Sequence, residues 1–128
     1  MLAALVGLIC VAASAVILVA LHFVPTGLNA IRYAVSDYGW TSYHLGYRTM
    51  VVLQGVGAIL IAVGVGQETD ATSLGWLYVY GVVRLLISGF MTDREPEGLL
   101  TLTWTGRIHM LLAGTAFAAR HPVAALHR

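Results

Sequence analysis

Residues 2–24 read LAALVGLICVAASAVILVALHFV, an apolar run without one Asp, Glu, Lys or Arg. A bilayer's hydrocarbon core takes about 20 residues of helix, within a range of roughly 17 to 25. Inside lipid only a helix or a closed barrel satisfies its own backbone N–H and C=O groups, and so uninterrupted a run predicts a spanning helix. His22 is its one strongly polar residue, and Pro25-Thr26-Gly27 breaks the helix beyond it. A cleaved signal peptide is the rival reading, since Ala13-Ser14-Ala15 resembles a cleavage site. No Arg or Lys precedes the run, however, and it continues well past that site, which favours a retained first span.

The rest of the chain repeats the pattern. Of its 128 residues 59% are hydrophobic and 10% charged, where a soluble domain carries about 25% charge. A water-exposed surface of this composition would aggregate, whereas lipid matches it. Further apolar runs follow at about 49–66, interrupted by Gln54, and at about 74–91, which contains Arg84. The short segment Gln67–Ser73 reverses the chain between them. A fourth run begins near 104–108 and extends to about 125, with Arg120-His121-Pro122 interrupting it. That span is marginal unless it packs on the others or Arg120 snorkels to the boundary. The expected fold class is all-α: a single domain, residues 1–128, forming a transmembrane helix bundle of about four spans at 2–24, 49–66, 74–91 and 107–125. Small residues predict close packing seams: Gly7, Cys10 and Ser14 on the first span, Gly57 and Gly64 on the second, Gly81 and Ser88 on the third.

Charge and cysteine exclude several classes. Seven Arg, no Lys and six acids leave a net charge of +1, too sparse for the basic stripe of a nucleic-acid surface. Cys10 stands alone, so no intramolecular disulfide and no CxxC motif is available. It reads as a small packing residue.

Arg84 is the sharpest single signal. A charge in mid-helix costs about 2.5–3.5 kcal/mol on insertion scales, so it should face a partner or a wet cavity. Tyr80, Gly81 and Ser88 share its face. It is a candidate ligand-binding residue for an anion or headgroup, or else a staple within the bundle. Two polar connections, 26–46 and 92–106, must lie on one side if the two helices between them span. That places Ser36, Asp37, His44 and Arg48 where they can meet Asp93, Arg94, Arg107 and His109. Carboxylates, imidazoles and guanidinium groups together can do acid–base work, bind a metal or grip a phosphate; ion pairs that clamp the loops are the blander reading. No HExxH, no GxSxG and no carboxylate–His cluster at ligand spacing occurs, so no metal site is assigned. His22 and His109, one on each of two helices, are weak support for bis-histidine haem, and no cofactor is expected.

Four strings carry a family resemblance: LHFVPTGL at 21–28, AVSDYG at 34–39, FMTD at 90–93 and TGRIH at 105–109. They resemble the multi-pass membrane proteins of bacteria and archaea grouped as domain of unknown function 998, over nearly the whole chain up to about Ala119. The resemblance implies a prokaryotic membrane protein without an assigned activity. It also implies recurrent polar positions at Ser36, Asp37, Asp93, Gly106, Arg107 and His109. Family members generally have about six spans, so ending soon after the fourth suggests a truncated, frameshifted or diverged end. Arg32, Arg48, Arg94 and Arg107 put the long connections in the cytoplasm by the positive-inside rule. The resemblance implies the opposite orientation, which is preferred here because these Arg residues accompany acids.

Two functional readings follow. The leading one is a non-catalytic, multi-pass protein of the cell membrane, a binding or accessory bundle whose polar face recognises a lipid headgroup or small anion through Ser36, Arg84 and Arg107. The rival is a membrane-embedded enzyme acting on a lipid-like substrate through Asp37, Asp93 and His109 as candidate catalytic residues. The expected partners are the bilayer and that headgroup or anion, with self-association into a homo-oligomer allowed and nucleic acid excluded.

Overall fold

The computed structural model describes residues 1–29, 31–66, 74–93 and 102–119. Among these the chain is all-helical: α1 spans Leu2–Phe23, α2 His44–Gly66, α3 Gly75–Ile87 and α4 Trp104–Ala119, with a short 3-10 helix at Val35–Trp40. The short turn at 67–73, Arg94 to Thr101, and everything from Arg120 onward lie outside the described residues. Expectations about the acidic turn and the tail of the fourth span fall there.

α1 and α2 are both long and apolar enough to cross a membrane; α3 is apolar but shorter. The helices pack in chain order, α1 on α2, α2 on α3 and α3 on α4. Two backbone crossings hold the first three together. A Cβ at Gly7 would sit 2.7 Å from the Gly57 carbonyl oxygen, and one at Gly57 would sit 2.8 Å from that of Gly7. Gly55 and Gly81 are related in the same way, each virtual Cβ 2.8 Å from the other's carbonyl oxygen. Only glycine permits these approaches, and close contact is what holds helices together where lipid removes the hydrophobic drive. Gly7 meets Gly57 while Ala4 meets Gly64, so α1 and α2 run antiparallel. Gly55 beside Gly81 and Gly66 beside Leu74 make α2 and α3 antiparallel too. Cys10 sits at the first crossing beside Gly57.

Several helix ends differ from the hydropathic reading. α2 starts at His44 rather than near Thr49, because capping and not hydropathy sets the start. The Thr41 hydroxyl accepts the Tyr43 N–H at 3.1 Å, and the Thr41 carbonyl accepts the His44 N–H at 3.1 Å. α3 ends at Ile87 rather than 91: the Gly89 and Phe90 N–H groups bond three residues back, to Leu86 and Ile87, tightening the last turn. α4 begins at Trp104, at the early edge of the expected 104–108, where Thr103 and Asp93 cap it (below).

Buried Tyr38, Tyr47, Met50, Val51, Val83, Ile87, Leu21 and Ala116 form the core, centred on α2. Outward, Leu5, Leu8, Ile9, Val16 and Val19 of α1 are exposed. An apolar outer surface of this kind suits lipid rather than water.

Candidate functional site

At one end of the bundle the two long connections meet. The Trp40 indole Nε1–H donates to the Thr92 carbonyl at 2.8 Å. Tyr38, in the 3-10 helix, is buried, its ring centroid 5.7 Å from that of His22. The polar residues expected to converge here divide into two groups.

Asp37 and Asp93 cap backbone. The Asp37 carboxylate accepts the Ala34 N–H at 2.9 Å and so closes the first turn of the 3-10 helix. Asp93 accepts the Thr103 N–H on Oδ2 at 2.7 Å and the Thr103 hydroxyl on Oδ1 at 2.5 Å. The Thr103 hydroxyl oxygen in turn accepts the Gly106 N–H at 3.2 Å, an N-cap on α4. A Cβ at Gly106 would run into the Asp93 carboxylate, which explains glycine in the Thr105-Gly106-Arg107 string. Arg107 is exposed, and its Nε donates to the Leu102 carbonyl at 3.2 Å. Among the described residues the tie between the connections is an indole on a carbonyl; an acid–Arg contact involving Arg94, Glu95 or Glu97 would lie outside them.

Ser36, Arg84 and His109 belong to the second group: all three line one cavity of about 520 Å³. α2, α3 and α4 each contribute a stripe at helical spacing. α2 supplies Tyr47, Met50 and Gln54; α3 supplies Tyr80, Arg84 and Ile87; α4 supplies His109, Ala113, Ala116 and Phe117. Leu18 of α1 and Tyr33–Ser36 of the first connection complete the wall. From Tyr47 to Gln54 the cavity descends roughly 10 Å at 1.5 Å per residue. The polar site thus begins under the connection and reaches the middle of α2, deeper than a site confined to the membrane face.

Within the cavity Arg84 Nη2 donates to Gln54 Oε1, and the guanidinium carbon lies 5.7 Å from the centroid of the Tyr80 ring, within cation–π range. Arg84 Nε is buried without a partner among the described residues. Gln54 is neutral, and no Asp or Glu is among the described residues that line the cavity. Among the described residues the cation is therefore held by a dipole and a ring rather than by an opposite charge. His109 is 5% exposed, and its Nδ1 lies 2.8 Å from the Phe90 carbonyl. A carbonyl can only accept, so Nδ1 carries the proton, and in the neutral ring Nε2 is the acceptor. His22 instead places Nδ1 on the carbonyl of its own Leu18, at 2.6 Å. Among the described residues no group of three or more His, Cys, Asp or Glu is placed to hold a metal ion.

Gln54 and Tyr47 were not singled out from the sequence as site residues. The signal was present: Gln54 is the one polar interruption of the second apolar run, and Tyr47 and Met50 stand on its face.

The family described as protein of unknown function (DUF998) matches residues 8–126. No curated protein and no solved structure matches the chain.

Proposed function

The chain belongs to the DUF998 family, and on that footing we propose that it is a multi-pass protein of a prokaryotic cell membrane that binds an anionic group, a lipid headgroup or small anion, on Arg84. The observation that carries this reading is the guanidinium in a cavity whose described lining holds no carboxylate, with Nε unpartnered. Arg84 is half-buried with its Nε shielded, a partly desolvated charge without a counter-ion among the described residues is costly, and an incoming phosphate or carboxylate offers the bidentate, charge-assisted bonds that relieve it. The cavity's size falls within the range of small-molecule sites, roughly 300–1,000 Å³.

The enzymatic reading has less support. Of its three candidate residues only His109 lines the cavity, while the Asp37 carboxylate is taken up by the N–H of Ala34 at the cavity's edge and that of Asp93 by Thr103. The test is native mass spectrometry of protein released from mixed-lipid nanodiscs. Wild type should retain anionic lipid or phosphate, Arg84→Gln should lose it, and the outward-facing control Leu86→Ala should retain it. Equal retention by Arg84→Gln sinks the anion reading.

A further inference from the structure

The cavity is polarised from one side to the other. Its α2–α3 wall carries Tyr47, Gln54, Tyr80 and Arg84 together with Met50 and Ile87, and its α1–α4 wall carries Leu18, Ala113, Ala116 and Phe117, with His109 the one polar side chain there. Sequential packing leaves α1 and α4 without a packed interface with each other among the described residues, although both border the cavity. Phe117 lines the cavity yet is 66% exposed, which puts it at the rim. Ala113, half-buried, leaves room on the α4 side, with buried Ala116 deeper in the wall. The arrangement is a cation across the cavity from a largely apolar gap between α1 and α4, with exposed Tyr33, Ala34 and Val35 of the first connection lining the cavity as well.

We propose that the ligand is a membrane amphiphile with a phosphate or carboxylate head, which enters sideways between α1 and α4, sets its head on Arg84 and leaves its acyl chain against Leu18, Ala113 and Phe117. This rests on the anion reading of Arg84 and adds the source and the route. A free anion has no use for an apolar mouth. A lipid gains from it, since its chain stays in contact with apolar surface while only the head is transferred to the guanidinium.

The experiment compares two probes that share one head: 1-oleoyl lysophosphatidate and glycerol 3-phosphate, each titrated against the full chain in phosphatidylcholine nanodiscs. Ala113→Phe plugs the mouth from α4, and Leu18→Trp plugs it independently from α1. Lysophosphatidate should bind wild type, with each plug weakening it by about tenfold or more, while glycerol 3-phosphate binds more weakly and is indifferent to the plugs. Arg84→Gln should weaken both probes. If the plugs change nothing while Arg84→Gln abolishes binding, the sideways route is wrong and the anion site stands. Glycerol 3-phosphate binding as tightly as the lipid makes the ligand a soluble anion and overturns the proposal. Indifference of both probes to Arg84→Gln overturns the anion reading as well. Should a plugged variant fail to fold, a lysophosphatidate bearing a diazirine on its chain decides on wild type alone. Cross-links to the segments holding Leu18 and Phe117 support the route, and cross-links confined to outward-facing Leu5 and Leu8 refute it.

Discussion

Arg84 and Gln54 form a pair whose value depends on both members being present. Replacing Gln54 by Leu leaves a guanidinium in the cavity with its Nη2 donor unsatisfied, a loss of roughly 1–3 kcal/mol. Adding Arg84→Leu removes the stranded charge along with its partner, so the double variant should be more stable than Gln54→Leu alone. Thermal unfolding in detergent completes the double-mutant cycle, and an additive result would show that the two side chains are not coupled. A second residue-scale expectation concerns Gly106. Gly106→Ala pushes a methyl group into the Asp93 carboxylate and breaks the Thr103 cap, costing about 1–2 kcal/mol. Asp93→Asn, which keeps one acceptor oxygen, should cost less, and unfolding midpoints ranked the other way would discard the cap. The sequence marked Arg84 and Asp93 as special because a charge in an apolar run and an acid in a polar connection are visible one residue at a time, and Gly106 only through the family resemblance. It did not separate their roles. Whether Asp93 faces a cavity or a backbone N–H depends on where Thr103 lies ten positions later, a distance that periodicity does not encode.

The helices show which part of the fold is local. Long apolar runs without charge revealed α1 and α2, because hydrocarbon thickness and backbone satisfaction leave little choice. Their ends were less legible: α2 begins five residues early on a polar turn capped by Thr41, and hydropathy is blind to a hydroxyl on an N–H. The packing seams were half legible. Gly57 was read as a seam residue and meets Gly7, but Gly55, two positions away, serves the other neighbour through Gly81. One helix with glycines on two faces can pack on two partners, and only the structure assigns each face. Glycine should therefore be intolerant at crossings and replaceable elsewhere. Gly57→Val and Gly81→Val each drive methyl groups into a neighbouring backbone and should destabilise by about 1–3 kcal/mol or more. Gly114, inside α4 with nothing within 4 Å of a virtual Cβ, should accept Ala with a gain of roughly 0.5–1 kcal/mol. Equal losses at all three positions, measured by unfolding in one detergent, would mean that helix propensity and not close packing governs these sites.

At the scale of the whole molecule, the two long connections have to lie on one side of the membrane if the sideways cleft is to open into lipid. Two structural facts put them at one end of the bundle. α2 and α3 are antiparallel, and the Trp40–Thr92 bond ties the residues just before α2 to those just after α3. α1 is antiparallel to α2 as well, so its N-terminus belongs at the opposite end. α3 and α4, with 13 and 16 described helical residues, are the shorter pair. At 1.5 Å per residue they cover about 20–24 Å, short of a core of about 30 Å, and they can cross only with local thinning or with polar ends set at the boundary. The decisive measurement is cysteine accessibility after Cys10→Ala. Ile31, 95% exposed in the first connection, and Thr105, exposed at the start of α4, should both react with an impermeant maleimide from the same side once changed to Cys. Leu2→Cys should react only from the other side. Opposite labelling of Ile31→Cys and Thr105→Cys would mean that only one of α2 and α3 crosses. The arc of four helices would then lie partly on the surface, and the mouth between α1 and α4 would face water. An amphiphile would lose its reason to enter there, whatever Arg84 holds.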